Sequence, residues 1–181
     1  MTPRVRPPVS GRVGAGFSLI ELISILALLG ILAAVAFPRF ADTQSYRDLL
    51  LKDQLISSAR FAQQAALARH NQSVSLVLGR PDDWRFEVWV DTDGDGTQDL
   101  RLQQQTPERG NARLSLASPT AVPVTGANAV RVGYDNLGHL NTLNGAPLNA
   151  NLAFTASERI VCLSLAGYAY EAANLADCIA Q

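Results

Sequence analysis

The residues FSLIELISILALLGILAAVAF, Phe17 to Phe37, form the longest apolar stretch of the chain and contain a single charged side chain, Glu21. As an α-helix rising 1.5 Å per residue, this stretch is about 31 Å long, which matches the hydrocarbon thickness of a bilayer. Residues 1–16 before it carry three arginines and no acidic residue, so the positive-inside rule places that end in the cytoplasm. The stretch therefore predicts one membrane-spanning helix, with the rest of the chain on the opposite side of the membrane.

A cleaved secretory signal is the alternative interpretation of this N-terminus. Such signals combine a basic start with an apolar stretch of about 7–15 residues and a small-x-small cleavage site after it. The apolar stretch here is longer, and no such site leads directly into a polar segment. The segment Ala33–Ala36 is the available candidate, and it keeps this alternative open.

Composition predicts one compact domain of about 100 residues behind an N-terminal extension. The chain has 181 residues, 48% hydrophobic and 17% charged. Removing residues 1–16 takes away 3 of the 15 basic side chains, which leaves 12 against 16 acidic ones and a net charge of −4. Nucleic-acid binding depends on neutralising phosphates with Lys and Arg. The acidic balance therefore argues against a surface that coats nucleic acid.

A second helix is predicted directly after the apolar stretch, in segment 38–71. Helix-forming residues dominate from Ala41 to His70, and neither Gly nor Pro occurs there. We expect Pro38 to kink or locally melt the helix, because proline lacks the backbone donor and clashes one turn back. An apolar stripe at helical spacing gives this helix one face to bury: Leu51, Leu55, Ala59, Ala62 and Ala66.

The segment 72–181 is predicted to be β-rich. Trp84, Phe86, Val88 and Val90 alternate with polar neighbours, as in a half-buried strand. Many short strands after one long helix predict an α+β fold, with an antiparallel sheet or small β-sandwich packed on the stripe. The candidate strands are Ser73–Leu78, Trp84–Val90, Arg101–Gln104, Ala112–Leu116, Ala129–Tyr134, Leu152–Phe154, Arg159–Leu165 and Tyr168–Glu171.

The two cysteines, Cys162 and Cys178, lie in this β-rich segment. In an oxidising compartment they are expected to form a disulfide, and in a reducing one they would be two buried thiols. A closed loop of about 15 residues stabilises a fold by roughly 3 kcal/mol in the chain-entropy description.

The residues Gly16-Phe17-Ser18-Leu19-Ile20-Glu21-Leu22 resemble the cleavage and methylation signature of type IV prepilins and type II secretion pseudopilins. The resemblance extends through the apolar stretch to Pro38-Arg39-Phe40. It implies that a prepilin peptidase removes residues 1–16 by cutting after Gly16 and then methylates the new amine of Phe17. It also implies a single-pass inner-membrane protein that later joins a filament, together with other pilin subunits and an inner-membrane assembly platform.

The resemblance also implies assembly roles for three residues of the helix. A carboxylate in a membrane costs roughly 2.5–3.5 kcal/mol on insertion scales, and the resemblance gives Glu21 a partner, the Phe17 amine of a neighbouring subunit. The alternative is that Glu21 lies at headgroup depth. Gly30 would allow close helix approach, and Pro38 would let the helix bend during assembly.

The β-rich segment has looser resemblances. Residues 88–91 and 132–138 look like minor pseudopilins of the GspH/FimT type, and the ending around Cys162, Tyr168 and Cys178 resembles the MSHA pilus minor subunit MshC. The implied function is that of a structural minor pilin. The alternative is a tip-located binding module for DNA uptake or surface adhesion. Because no catalytic motif such as G-x-S-x-G, a P-loop or H-E-x-x-H occurs, we expect no enzymatic activity.

An acidic turn offers a candidate Ca²⁺ site. Asp91, Asp93, Asp95 and Asp99 occupy positions 1, 3, 5 and 9 of an EF-hand-like loop, with Gly96 at the sixth position. Position 12, however, is Leu102 instead of the usual bidentate Glu. Two interpretations therefore stand, a weak calcium site and an Asp/Gly-rich turn between two strands.

The processing prediction can be checked by mass spectrometry of the N-terminus in the native host. We expect the mature chain to start at an N-methylated Phe17, and a Gly16→Leu variant to keep residues 1–16. A Gly14→Leu variant is the matched control and should be processed normally. A mature chain that starts at Met1 or beyond Ala36 would contradict the assignment.

Overall fold

The computed structural model describes residues 18–40, 43–79, 82–108 and 110–179. Gly16 and Phe17 lie outside these described residues. The chain divides into two compact units, one ending at Asp42 and the other beginning at Thr43. The first unit contains helix α1, Leu19–Phe40. The second contains helix α2, Thr43–Leu67, eleven strands and a short helix α3, Leu175–Ile179.

Helix α1 begins where Ser18 caps it. The Ser18 hydroxyl accepts a hydrogen bond from the amide of Ile20 at 3.3 Å, and its carbonyl accepts from the amides of Glu21 and Leu22 at 3.0 and 3.2 Å. The hydroxyl bond satisfies the Ile20 amide, which has no partner inside the helix, and the bond from Leu22 is the first regular bond of the helix. Helical conformation persists through Pro38 to Phe40, so local melting at Pro38 is not observed. The expected kink at Pro38 stays a prediction. Within the described parts of the chain, none of the helices has both the length and the apolar content needed to cross a membrane.

Helix α2 supplies one side of the domain core. All five residues of its predicted stripe are buried, each with at most 1% of its surface exposed. They pack in one cluster with the inward side chains of both β-sheets. The predicted stripe is confirmed, and burying its apolar surface is what holds α2 to the sheets.

Two antiparallel sheets complete the second unit. The strands of sheet A are β1 Ser73–Gly79, β2 Arg85–Asp91, β3 Leu100–Gln105, β6 Val130–Tyr134, β7 Leu140–Leu143 and β8 Ala146–Pro147. Those of sheet B are β4 Leu114–Ser118, β5 Val122–Pro123, β9 Leu152–Ala156, β10 Arg159–Leu163 and β11 Ala169–Ala172. Sheet A has the strand order β3-β2-β1-β6-β7-β8, and sheet B has the order β11-β10-β9-β4-β5.

The α+β class and the antiparallel sheets agree with the sequence prediction, and every predicted strand overlaps an observed one. Several predicted bounds are wrong by one or two residues: the strand expected to begin at Ala112 begins at Leu114, and the strand expected to reach Leu165 ends at Leu163. Its end is set by a turn in which Ser164 accepts a hydrogen bond from the amide of Gly167 at 2.8 Å. The short strands β5, β7 and β8 were not predicted; β5 and β8 have two residues each, which is too few to show alternation.

A partly buried ion pair joins α2 to sheet B. The ammonium of Lys52, whose side chain is 10% exposed, lies 2.8 Å from a carboxylate oxygen of Glu171 and 3.0 Å from one of Asp53. The guanidinium of Arg159 contacts the other oxygen of Glu171 at 2.8 Å. The hydrogen bond from Lys52, followed by that from Arg159, lowers the pKa of Glu171, and the bond to Glu171 raises the pKa of Lys52.

The predicted disulfide is confirmed. Cys162 on β10 is bonded to Cys178 on α3, with their Cα atoms 5.6 Å apart. Both cysteines are buried on the face of sheet B that points away from the main core, where they pack beside Ala153. The side-chain amide of Asn151 also donates to the carbonyl of Cys178 at 2.9 Å. Together these contacts hold the C-terminal helix against the sheet.

The ion pair predicts how stability depends on pH. Because the pKa of Glu171 is lowered from its ordinary 4.5 in the folded state, its contribution is present above pH 4.5 and is lost as pH falls through the lower folded value. We expect Glu171→Gln to reduce the free energy of unfolding by about 1 kcal/mol at pH 7, a modest loss because the Glu171 side chain is 38% exposed.

Urea unfolding of Glu171→Gln and of the wild type at pH 7 and pH 3 would measure this effect. The difference between the two proteins should shrink at pH 3. Glu158→Gln, on an exposed turn, is the matched control and should unfold like the wild type. An equal difference at both pH values would contradict the role given to the ion pair.

Candidate functional site

Helix α1 exposes apolar side chains on every side. Leu19 and Leu26 are 78% and 60% exposed, and the whole described stretch from Ser18 to Ala34 is exposed. A helix that is apolar on all sides normally lies in a protein core or in a membrane. The exposed surface of α1 is therefore a candidate assembly surface. Its large apolar members are Leu19, Ile20, Leu22, Ile23, Ile25, Leu26, Leu28, Leu29, Ile31 and Leu32.

The predicted assembly residues occupy distinct places on α1. Glu21 is exposed in the first turn, where the positive end of the helix dipole favours a carboxylate. A Cβ added to Gly30 would meet no atom of the described residues within 4 Å, and the predicted close helix approach at this position stays a prediction. Pro38 lies in the last turn of α1, and the structure gives no description of its side chain.

Ser18 caps helix α1, a role that the sequence prediction did not single out. Its spacing to Glu21, S-x-x-E, is the pattern of a capping box, in which the two residues fix the helix start together. The structure shows an ordinary serine cap instead: the Ser18 hydroxyl accepts from the amide of Ile20, the second helical residue, and not from that of Glu21. The cap places the carboxylate of Glu21 one turn from the end at which the chain is expected to be cut.

The acidic turn between β2 and β3 brings three of the four predicted aspartates together. Carboxylate oxygens of Asp91, Asp93 and Asp99 all lie within 4.8 Å of one another, and Asp95 does not belong to this group. Leu102, at the predicted position 12, packs against the hydrophobic core from β3 and supplies no side-chain oxygen. The group is therefore smaller than the sequence pattern suggests.

The turn itself uses most of these carboxylate oxygens. The two oxygens of Asp91 accept hydrogen bonds from the amides of Gly94 at 2.6 Å and Gly96 at 2.9 Å. Asp99 accepts from the amide and hydroxyl of Thr92 at 2.7 and 2.6 Å, and these bonds lower its pKa. This geometry accounts for the aspartates as turn formers, and calcium binding stays a prediction.

A tight contact between two turns and α2 also escaped the sequence prediction. Gly167 has a φ of +86°, and a Cβ there would collide with the carbonyl oxygen of Gly138. The side-chain amide of Gln63 on α2 donates to the carbonyl of Ala166 at 3.0 Å. The sequence marks both glycines as turn residues, but only the fold shows that the two turns meet.

Comparison with known proteins gives one distant similarity. Over 114 residues the chain is 25% identical to two fimbrial proteins of Pseudomonas aeruginosa, an alignment that covers 62% of this chain and 74% of each relative. No family model matches the chain. No solved structure matches it either. The similarity supports a type IV pilin-like class, with which the N-terminal helix and antiparallel sheets are consistent.

Substitution of Asp91 distinguishes its role from that of Asp95. An asparagine has one carbonyl oxygen, so Asp91→Asn can keep only one of the two amide bonds, and we expect a loss of about 1–2 kcal/mol in the free energy of unfolding. The exposed Asp95 accepts the amide of Thr97 through one oxygen. Asp95→Asn is the matched control and should unfold like the wild type.

Thermal unfolding with and without calcium tests the metal alternative on the same turn. If the aspartates serve only the turn, calcium leaves the melting temperature of the wild type unchanged. A calcium-dependent rise that disappears in Asp93→Asn would favour the metal site instead.

Proposed function

We propose that this chain is a minor pilin or pseudopilin that joins or initiates a type IV pilus or type II secretion filament. The observation that carries the proposal is α1, an apolar helix that is exposed on all sides, capped by Ser18 and marked by one carboxylate, Glu21. The similarity to the Pseudomonas aeruginosa fimbrial proteins supports the same class.

In this proposal the apolar stretch has two successive roles, as a membrane anchor and as part of the filament core. It first anchors the precursor in the inner membrane, with residues 1–16 in the cytoplasm and the domain after Thr43 in the periplasm. Prepilin peptidase then cuts after Gly16 and methylates Phe17. The helix leaves the bilayer for the filament, where α1 helices of neighbouring subunits replace lipid. Cleavage before the helix removes the basic residues that would be costly to bury in a filament core.

Glu21 gives the filament its register. As the only charge in the apolar stretch, it gains most from an opposite charge in the same low-dielectric surroundings. The new amine of Phe17 on a neighbouring subunit is that charge. A subunit placed out of register would leave both groups buried without a partner, and this selects one axial position.

We propose, from sequence resemblance alone, the finer assignment of a minor subunit of the GspH/FimT or MshC kind. Its partners in this proposal are the peptidase, other pilin subunits and the assembly platform. The acidic balance of the domain makes DNA a poor ligand for it. The tip-located binding module, for DNA uptake or adhesion, remains the alternative function.

Replacing Glu21 separates anchoring from assembly. We expect Glu21→Ala to leave membrane insertion and N-terminal processing unchanged, since alanine is cheaper to insert, but to lower incorporation into sheared filaments at least tenfold. Glu21→Asp should retain part of the incorporation. Ser24→Ala, one turn later on the same exposed helix, is the matched control. Wild-type incorporation of Glu21→Ala, measured by immunoblot against the membrane fraction, would disprove the pairing.

A further inference from the structure

The outer face of sheet A, on the side away from α2, contains a trough. In one row across four strands, Ser75 on β1 lies opposite Trp89 on β2 and opposite Gly133 on β6, and Gly133 lies opposite Thr142 on β7. Serine and glycine thus form a low floor between the larger Trp89 and Thr142. Adjacent strands are about 4.8 Å apart, so the row spans roughly 14 Å.

The floor is kept low at Gly133 for a steric reason. A Cβ at this position would collide with the hydroxyl oxygen of Thr142. The threonine hydroxyl therefore leans over the floor of the trough, where it can meet a ligand. On the opposite side, the side-chain amide of Gln98 donates to the hydroxyl of Ser75 at 3.3 Å and so fixes a second polar group at the rim.

A cavity of about 200 Å³ lies in this trough. This is less than the 300–1,000 Å³ of pockets for drug-sized ligands, so the cavity suits one small, partly enclosed ring. One wall comes from the acidic turn and the other from the turn after β7. Most of its side chains are hydroxyls and amides, which both donate and accept hydrogen bonds: Ser73, Ser75, Thr97, Gln98, Asn141 and Thr142.

The charges around the cavity disfavour an ionic ligand. Asp91 and Arg131 contribute one negative and one positive side chain to its lining. Both oxygens of Asp91 already accept bonds from the turn amides, so this carboxylate is poorly available to a cation. Its charge, in turn, opposes the approach of an anion to Arg131. The lining is therefore suited to a neutral molecule with many hydroxyl groups.

We propose that this trough binds a neutral saccharide ring. Its hydroxyls exchange hydrogen bonds with Ser75, Thr142 and the Gln98 and Asn141 amides, and the ring lies over Ser75, beside the Thr142 side chain that covers Gly133. This inference goes beyond the proposed function, because it gives the domain a ligand class that filament assembly does not require. Binding and assembly can therefore fail independently.

Saturation-transfer difference NMR on the full-length chain tests the proposal. The protein is held in a zwitterionic detergent, because sugar-headed detergents would compete for the site. Free galactose, mannose and N-acetylglucosamine are the neutral probes, and glucuronate is the anionic comparator. We expect saturation transfer to at least one neutral sugar and none to glucuronate.

Two variants locate the site. Ser75→Leu fills the floor and should abolish the transfer, and Asn141→Ala, on an exposed position, should weaken the apparent affinity at least threefold without a risk to folding. Ser115→Leu is the matched control, since Ser115 is also a half-buried strand serine but lies in sheet B, and it should bind like the wild type. Circular dichroism checks that each variant is folded.

Three results would overturn the proposal. They are an absence of saturation transfer to every neutral sugar, transfer that persists in folded Ser75→Leu and in Asn141→Ala, and transfer to glucuronate alone. Normal filament incorporation of Ser75→Leu together with lost sugar binding would support the trough and leave the assembly proposal intact.

Discussion

The structure depends on where two consecutive helices bury their apolar surface. Helix α2 has an apolar stripe, and both sheets of its own domain cover that stripe almost completely. Helix α1 is apolar on all sides, and its described side chains from Ser18 to Ala34 are exposed. Burying a single leucine is worth about 1.5–3 kcal/mol. Ten large apolar side chains on α1 therefore represent a strong drive to find a cover outside the chain.

The domain after Thr43 is tied together at several places by contacts distant in sequence. Lys52 reaches Glu171, and the guanidinium of Arg60 donates to the carbonyl of Ala169 at 3.1 Å, so α2 is fixed to β11 twice. The disulfide holds α3 to the opposite face of the same sheet. These contacts hold the elements beneath the outer surfaces of the domain, including the trough, in place.

Much of this arrangement could be predicted from the sequence because it is periodic. The stripe that includes Leu51 and Leu55 repeats at helical spacing, and the alternation around Phe86 identifies a strand without any structure. Trp84 and Trp89 lie out of phase, and the structure accordingly buries Trp84 and leaves Trp89 half-buried. Local pattern is sufficient where one element carries the whole signal.

What could not be predicted comes from contacts between elements. Spacing alone cannot show that both oxygens of Asp91 accept hydrogen bonds from turn amides, or that the Asp95 carboxylate falls outside the group formed by the other three. Nor can it show that the turns at Gly138 and Gly167 touch, or that Gly133 lies beneath Thr142. These features require the register of several strands, which only the folded chain defines.

The central claim, that subunit helices cover α1 in a filament, can be tested with a photo-crosslinking amino acid placed at Leu26. The account predicts that, in sheared and purified filaments, this position cross-links to the N-terminal apolar segment of another pilin subunit, as identified by mass spectrometry. The same probe at the exposed Gln64 of α2 should not reach such a segment. Cross-links from Leu26 to lipid alone in the filament fraction would contradict the account.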